Sequence, residues 1–328
     1  MTFFLPSLKK SGHLDQIQMN IAIVGSRKLV NQDDYALQGW NIFAPHLTIY
    51  GFDADPDTCA EMNAELQSRQ VNWTEKHIPL ALWNSVGEST LYVTQFTGSS
   101  SLYPPNELYL KRFEGYLDWH KLVCTVEIET TTLDVFCQSE AIDCIDFLHI
   151  DVQGADLKVL EGASWLLEHS VLGIATEVEF NQLYVNQPLF SDVDFYLRKQ
   201  DFTLFDLVIS TGRGRRTRSP VVSQSHPGSL VWGDAFYFKD LIRQDLISPL
   251  KTPEKILKLA YIADVMNFTD YALEILEYLT LNYDTEDKYN FVDNIIDSLA
   301  QVPELVAQGL SSLPIVAKIR DYASRYNP

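Results

Sequence analysis

Four side chains in two short apolar runs could do chemistry here: His149 and Asp151 in the first, Glu177 and Glu179 in the second. A carboxylate or imidazole beside a hydroxyl can take its proton, so these residue types in one crevice point to general-base work. Within each pair the spacing is two, and alternate positions share one face of a strand. The acidic members together with Asp234 would also suit Mg²⁺, a second option beside the expectation of a site without metal. Asp53 ends another apolar run. From that position in nucleotide-binding sheets a carboxylate accepts hydrogen bonds from ribose hydroxyls. Each acid has a plainer alternative: Asp151 as the cap of the next helix, Asp53 as a solvated loop carboxylate.

The elements that must hold these groups read as alternating strands and helices. Phe147–Ile150 is apolar enough for a strand buried in a parallel sheet, Gln153-Gly154 makes a turn, and Leu157, Leu160, Ala163 and Leu167 mark one helical face. Asn20–Val24 is the first strand and runs into Gly25-Ser26-Arg27, a turn without the several glycines of a dinucleotide fingerprint. Asp33, Asp34 and Tyr35 begin a helix through Trp40. Leu47–Phe52 is the second strand, after which Asp55 is placed to cap a helix with Pro56 at its first position. Val71–Pro79 is the third, followed by Ala81-Leu82-Trp83 and a hairpin-like pair around Gly87. Trp83 suits either a flat ring or the core. Thr131-Thr132-Leu133-Asp134 resembles a capping arrangement, which gives Thr131 and Thr132 a structural role. Further strands are expected over 171–178, 202–208 and 229–239, with a helix over 192–199. A basic loop, Thr211 to Arg218, carries guanidinium groups suited to carboxylate or phosphate, or simply to solvent.

From about residue 240 the pattern is helical alone. The organisation expected is an α/β domain over 1–240 and a helical extension over 241–328, open to roles in homodimerisation, in capping the crevice or in stability. A chain of 328 residues accommodates both. Its net charge of −19 argues against nucleic acid, whose binding draws on Lys and Arg neutralising phosphates. The four cysteines show no ligand spacing and read as reduced thiols. The start lacks a secretory pattern and no apolar run is long enough to span a bilayer. These features give the expectation of a cytoplasmic protein acting on a small molecule or glycan, without nucleic-acid or membrane partners.

The segment Phe147-Leu148-His149-Ile150-Asp151-Val152-Gln153-Gly154-Ala155-Asp156 and the following Val159–Ala163 resemble the signature of the FkbM family of S-adenosylmethionine-dependent methyltransferases. Gly51-Phe52-Asp53, Thr132-Leu133-Asp134, Glu177–Glu179 and Val231–Asp234 extend the resemblance across about Asn20 to Lys239. It implies a class I methyltransferase (Rossmann-like) doubly wound sheet with a C-terminal helical appendage, and S-adenosyl-L-methionine as cofactor. Gly25 and Ser26 would then lie at the cofactor's amino-acid end, Asp53 and Ala54 at its ribose, and Ala81 and Leu82 at adenine. Asp151 would face both cofactor and acceptor. Two departures stand out: Val24-Gly25-Ser26-Arg27 replaces an acidic and small-residue turn, and His149 stands where lysine is commoner. The implied reaction is O-methylation of a hydroxyl on a sugar, polyketide or other small metabolite. Asp151 or His149 would act as base, with Glu177 or Glu179 orienting substrate or base. The alternatives are a degenerate fold serving as a binding or assembly module, and a nucleotide-dependent oxidoreductase, which the missing glycines disfavour.

Overall fold

The computed structural model describes residues 2–28, 35–209, 212–216, 219–283 and 287–326. Asp33, Asp34, Thr211, Thr217 and Arg218 lie outside them. Seven strands form the main sheet: β1 (Met19–Val24), β2 (Leu47–Asp53), β3 (Thr74–Pro79), β7 (Phe147–Ile150), β8 (Gly173–Glu179), β9 (Thr203–Val208) and β12 (Trp232–Phe238). Their order is β3-β2-β1-β7-β8-β12-β9. All neighbours from β3 to β8 are parallel, while β12 runs antiparallel between β8 and β9. The order reverses at β1/β7, and there the carboxyl ends of the strands open a crevice.

β1 shows why the centre of the sheet reads as a continuous apolar run. Ile21 and Ile23 face one core and Ala22 and Val24 the other, all nearly inaccessible. Each fully buried isoleucine stabilises by about 2 kcal/mol. The second core lies under the helices Leu133–Ser139, Asp156–Glu161, Ser164–His169 and Phe190–Lys199. The first is shared between the sheet, the N-terminal helix Leu5–Lys10 and the C-terminal helices Pro253–Val265 and Thr269–Asn282. Polar ties reinforce that junction. Asp264 accepts the backbone N–H groups of Phe3, Phe4 and Leu5 at 3.0, 3.0 and 2.9 Å. Asp146, beneath β7, pairs with Lys255 at 3.2 Å and Lys258 at 2.7 Å.

Between β3 and β7 the chain departs from the sheet. The expected hairpin around Gly87 does not form. Instead β4 (Ala81–Leu82) and β5 (Gly87–Thr94) both pair with β6 (Leu122–Thr131), the first parallel and the second antiparallel. The physical reason is that β6, a ten-residue strand, offers β5 a longer ladder than the two residues of β4. The expected helix through Trp40 is two short 3₁₀ turns, Tyr35–Gln38 and Trp40–Phe43, broken by Gly39 at φ 117°. The last expected strand is divided: β11 (Ser229–Leu230) pairs with β10 (Arg213–Gly214), and β12 follows one residue later. Among the described residues no helix is long and apolar enough to cross a membrane.

Candidate active site

The tips of β1 and β7 meet at Gly25. Its φ is +82°, and a Cβ there would overlap the carbonyl oxygen of Asp151, so both conformation and space call for glycine. The Asp151 N–H donates to the Val24 carbonyl at 2.9 Å, and the Gly25 and Ser26 N–H groups donate to the Phe52 carbonyl, each at 2.9 Å. Gly25, Ser26, Asp53 and Asp151 are thus gathered at the carboxyl ends of β1, β2 and β7.

On the β2 side the acids have partners. Asp53 Oδ1 accepts the Asp55 N–H at 2.9 Å and lies 3.7 Å from the Arg27 guanidinium, which also bonds the Asp55 carboxylate. Asp55 caps the helix Pro56–Arg69 as its sequence suggests, accepting from Asp57 and Thr58. Ser26 is fully buried, its hydroxyl 3.0 Å from His77 Nδ1, and His77 Nε2 lies 3.1 Å from Glu75 Oε1. Glu75 also accepts from Trp73 at 2.8 Å and pairs with Lys28 at 3.4 Å. Burial pushes its carboxyl up, but the His77 and Trp73 hydrogen bonds and the Lys28 charge outweigh that and hold it down at about 2.

On the β7 and β8 side the acids face one another. Gln153, in the left-handed region at φ 56°, donates its amide to Asp151 Oδ1 and Glu177 Oε2, both at 2.9 Å. The Tyr184 hydroxyl lies 3.0 Å from Gln153 Oε1 and 2.8 Å from the Ser99 carbonyl, its one proton shared between the two acceptors. Asp156 is buried and accepts the N–H of Val152 at 3.4 Å and of Gly154 at 3.1 Å. Burial, then the Asp151 charge, raise it to about 7. Glu177 is raised well above the ordinary range by burial and the charges of Asp151 and Glu179. Burial and the charges of Asp156 and Asp151 do the same for Glu179, whose Oε1 is buried without a hydrogen-bond partner among the described residues. Asp234 stands opposite Glu177, and Trp232 opposite Glu179, across the β8–β12 pair. Among the described residues no group of three or more His, Cys, Asp or Glu is arranged to hold a metal.

Asp151 and Glu177 are therefore brought together through Gln153, with Glu179 and Asp234 nearby on their strands. His149 stands one pleat below Asp151, its ring 4.9 Å from that of Tyr35. Ala81 and Leu82 are buried in β4, and Ala54 follows Asp53 in the turn. Trp83 is half-buried with its ring 5.6 Å from Tyr103.

Sequence reasoning missed Tyr184 and His120. His120 is buried, its ring 5.5 Å from Tyr184, and its Nδ1 lies 2.8 Å from the Tyr116 carbonyl. A carbonyl only accepts, so Nδ1 carries the proton and Nε2 keeps its lone pair. Burial lowers its pKa, favouring the neutral ring. No local pattern announces this position, because it is fixed by the packing of residues far apart in the chain.

The model of the methyltransferase FkbM domain matches residues 39–204. No curated protein matches the chain. Among solved structures, a methyltransferase FkbM from Methylobacillus flagellatus KT is 13% identical with a TM-score of 0.37, over 67% of this chain and 43% of that one. The chain thus covers less than half of that relative. An rRNA methylase from Streptococcus thermophilus is 12% identical with a TM-score of 0.31, over 70% and 94% of the two chains. A putative methyltransferase from Streptococcus mutans, solved with SAH, is 11% identical with a TM-score of 0.28, over 71% and 97%. The family match spans half of the sequence and includes the β2 tip, the Asp151 turn and the two glutamates of β8: the chain belongs to the FkbM methyltransferase domain family.

Proposed function

We propose that this protein is an S-adenosyl-L-methionine-dependent O-methyltransferase acting on a hydroxyl of a sugar, polyketide or other small metabolite. The observation that carries the reading is the junction at Gly25, the tip of β1, which has Asp53 at the end of β2 on one side and Asp151 at the end of β7 on the other. The residues fit the cofactor. Asp53 Oδ2 makes no hydrogen bond among the described residues and can accept from a ribose hydroxyl. The carboxylate-rich ends of β7 and β8 complement a sulfonium and an ammonium group. Ala81 and Leu82 offer an apolar wall for adenine.

The cofactor, when bound, supplies an electrophilic methyl group. Displacement at that methyl requires a nucleophile held in line and shielded from water. Asp151 is the proposed base: Gln153 fixes its Oδ1, which leaves Oδ2 to take the acceptor's proton. Glu177, tied to the same amide, orients that carboxylate. His149 is the second candidate for the base, and Glu179 for the orienting acid. Cytoplasmic location and a homodimer through the helical tail belong to the same proposal.

The contact between Arg27 and Asp53 favours one other reading, a cofactor-free binding or assembly module whose ribose acceptor is already engaged. Isothermal titration with S-adenosylhomocysteine separates them. The enzyme reading expects binding of micromolar order, about −8 kcal/mol, lost in Asp53→Ala. Absence of saturable heat with the intact protein would sink it.

A further inference from the structure

Beside the crevice is a second concavity of about 360 Å³, lined by Glu114, Tyr116, Trp119, Arg213, Arg215 and Trp232. Three of these are aromatic. The Tyr116 ring lies 5.7 Å from Trp119 in a stacked arrangement and 5.5 Å from Trp232. Trp119 is half exposed, so a large apolar face is open to solvent. Tyr116 is buried, and its hydroxyl has no hydrogen-bond partner among the described residues, although a hydroxyl removed from water normally finds one. Aromatic faces of this kind suit the apolar face of a sugar ring, with polar groups fixing its orientation.

The charge at this place is opposite to that of the chain. Arg213, Arg215 and Arg216 cluster at the β10 hairpin of a protein with net charge −19. Arg215 pairs with Glu114 at 2.9 Å, and Arg216 lies over the Phe113 ring at 5.0 Å. Arg213 is exposed and has no ion pair among the described residues. The hairpin is held against the aromatic wall, since a Cβ on Gly212 would overlap the Trp232 backbone. A guanidinium fork beside a flat wall is built to hold carboxylate or phosphate.

The concavity adjoins the carboxylate cluster. Trp232 is paired with Glu179 in the sheet. From its other side, Tyr116 stacks on His120 at 6.3 Å, His120 packs on Tyr184, and Tyr184 bonds Gln153, which holds Asp151 and Glu177. We propose that this concavity is the acceptor subsite, and that the acceptor is a sugar bearing an anionic group, a carboxylate or a phosphate. The ring would rest on Trp119 and Trp232 and the anion on Arg213 and Arg215, with the buried Tyr116, His120 and Tyr184 linking this wall to Gln153 and Asp151. The acceptor role rests on the methyltransferase reading, whereas anionic-sugar binding does not.

Ligand-observed NMR titrations with D-glucuronate, glucose 6-phosphate and glucose test this on the full chain. At least one anionic probe is expected to bind about tenfold more tightly than glucose, and Arg213→Ala to remove that preference. Which probe wins assigns the anion to carboxylate or to phosphate. Trp119→Ala, at a half-exposed position and with its folding checked by circular dichroism, is expected to weaken all sugars together. Equal binding of glucose and both anions, no binding of any probe, or a preference that survives Arg213→Ala would overturn the proposal. S-adenosylhomocysteine is titrated in parallel. Anionic-sugar binding without cofactor binding would uphold the subsite and defeat the methyltransferase reading, and the converse result would do the reverse.

Discussion

The two halves of the crevice use buried acids in opposite ways. Glu75, behind the β2 and β3 tips, has three cationic or N–H partners and is held down at about 2. Asp156, behind β7, has backbone N–H partners but faces Asp151, and is pushed up to about 7. Burial penalises the charged form in both, so neighbours decide the sign. The β2 half is electrostatically closed by its own ion pairs. The β7 and β8 half crowds acids together, and burial with their mutual repulsion favours the protonated forms of Asp156, Glu177 and Glu179.

The largest effect is expected where the halves touch. Gly25→Ala combines a positive φ with a Cβ in the space of the Asp151 carbonyl, and should cost about 3 kcal/mol or more in chemical denaturation. A near-neutral result would mean that the β1 and β7 tips are not held together as described.

Next in size are two opposite pH limbs. The Glu75 carboxyl, lowered from 4.5 to about 2, contributes stability that is present above pH 4.5 and is lost as pH falls toward 2. Its full value is on the order of 3 kcal/mol, and Glu75→Gln should flatten that acid limb. Asp156 has the reverse sign. Raised from 3.8 to about 7, it binds its proton more tightly in the folded protein, so its contribution is present below pH 3.8 and declines as pH rises to about 7. The decline is on the order of 4 kcal/mol, and Asp156→Asn should remove it. Urea denaturation from pH 2 to 8 reads both limbs. If the same variant flattened both, the division between the halves would not hold.

How much of this was legible in the sequence depended on the range of the forces involved. Asp55 before Pro56 caps its helix through its own neighbours and could be read locally, whereas the Thr131-Thr132 pair announced a cap that the structure assigns to Thr132. The strand carrying Asp151 and the turn at Gly154 were equally plain, because an apolar run followed by Gly has few other solutions. The pairing of β5 with β6 was not legible, since strands of similar composition give no sign of which distant partner they will choose. His120 reaches Tyr184 across 64 positions of sequence, and Glu75 meets Lys28 across the β2–β3 edge. Contacts of that kind are set by tertiary packing and leave no mark in spacing. The same holds for the tail. Its amphipathic helices were clear, while the apolar surface they share with β1, β2 and the N-terminal helix was not.

The smallest expected effect is the most informative about the β2 half. Arg27 stands between Asp53 and Asp55 with its side chain 23% exposed, and partly exposed pairs contribute only about 0–1 kcal/mol. Arg27→Ala should therefore leave stability nearly unchanged. Its effect on S-adenosylhomocysteine affinity separates two roles for the guanidinium. If Arg27 occupies Asp53 in competition with ribose, its removal should tighten binding by up to about fivefold, equivalent to about 1 kcal/mol. If it instead holds Asp53 in place for ribose, affinity should fall by a similar factor. The contact at 3.7 Å from Asp53 is longer than the bond to Asp55, so Asp55 is the stronger anchor and Asp53 is the partner more easily released. That asymmetry favours tighter binding in the variant.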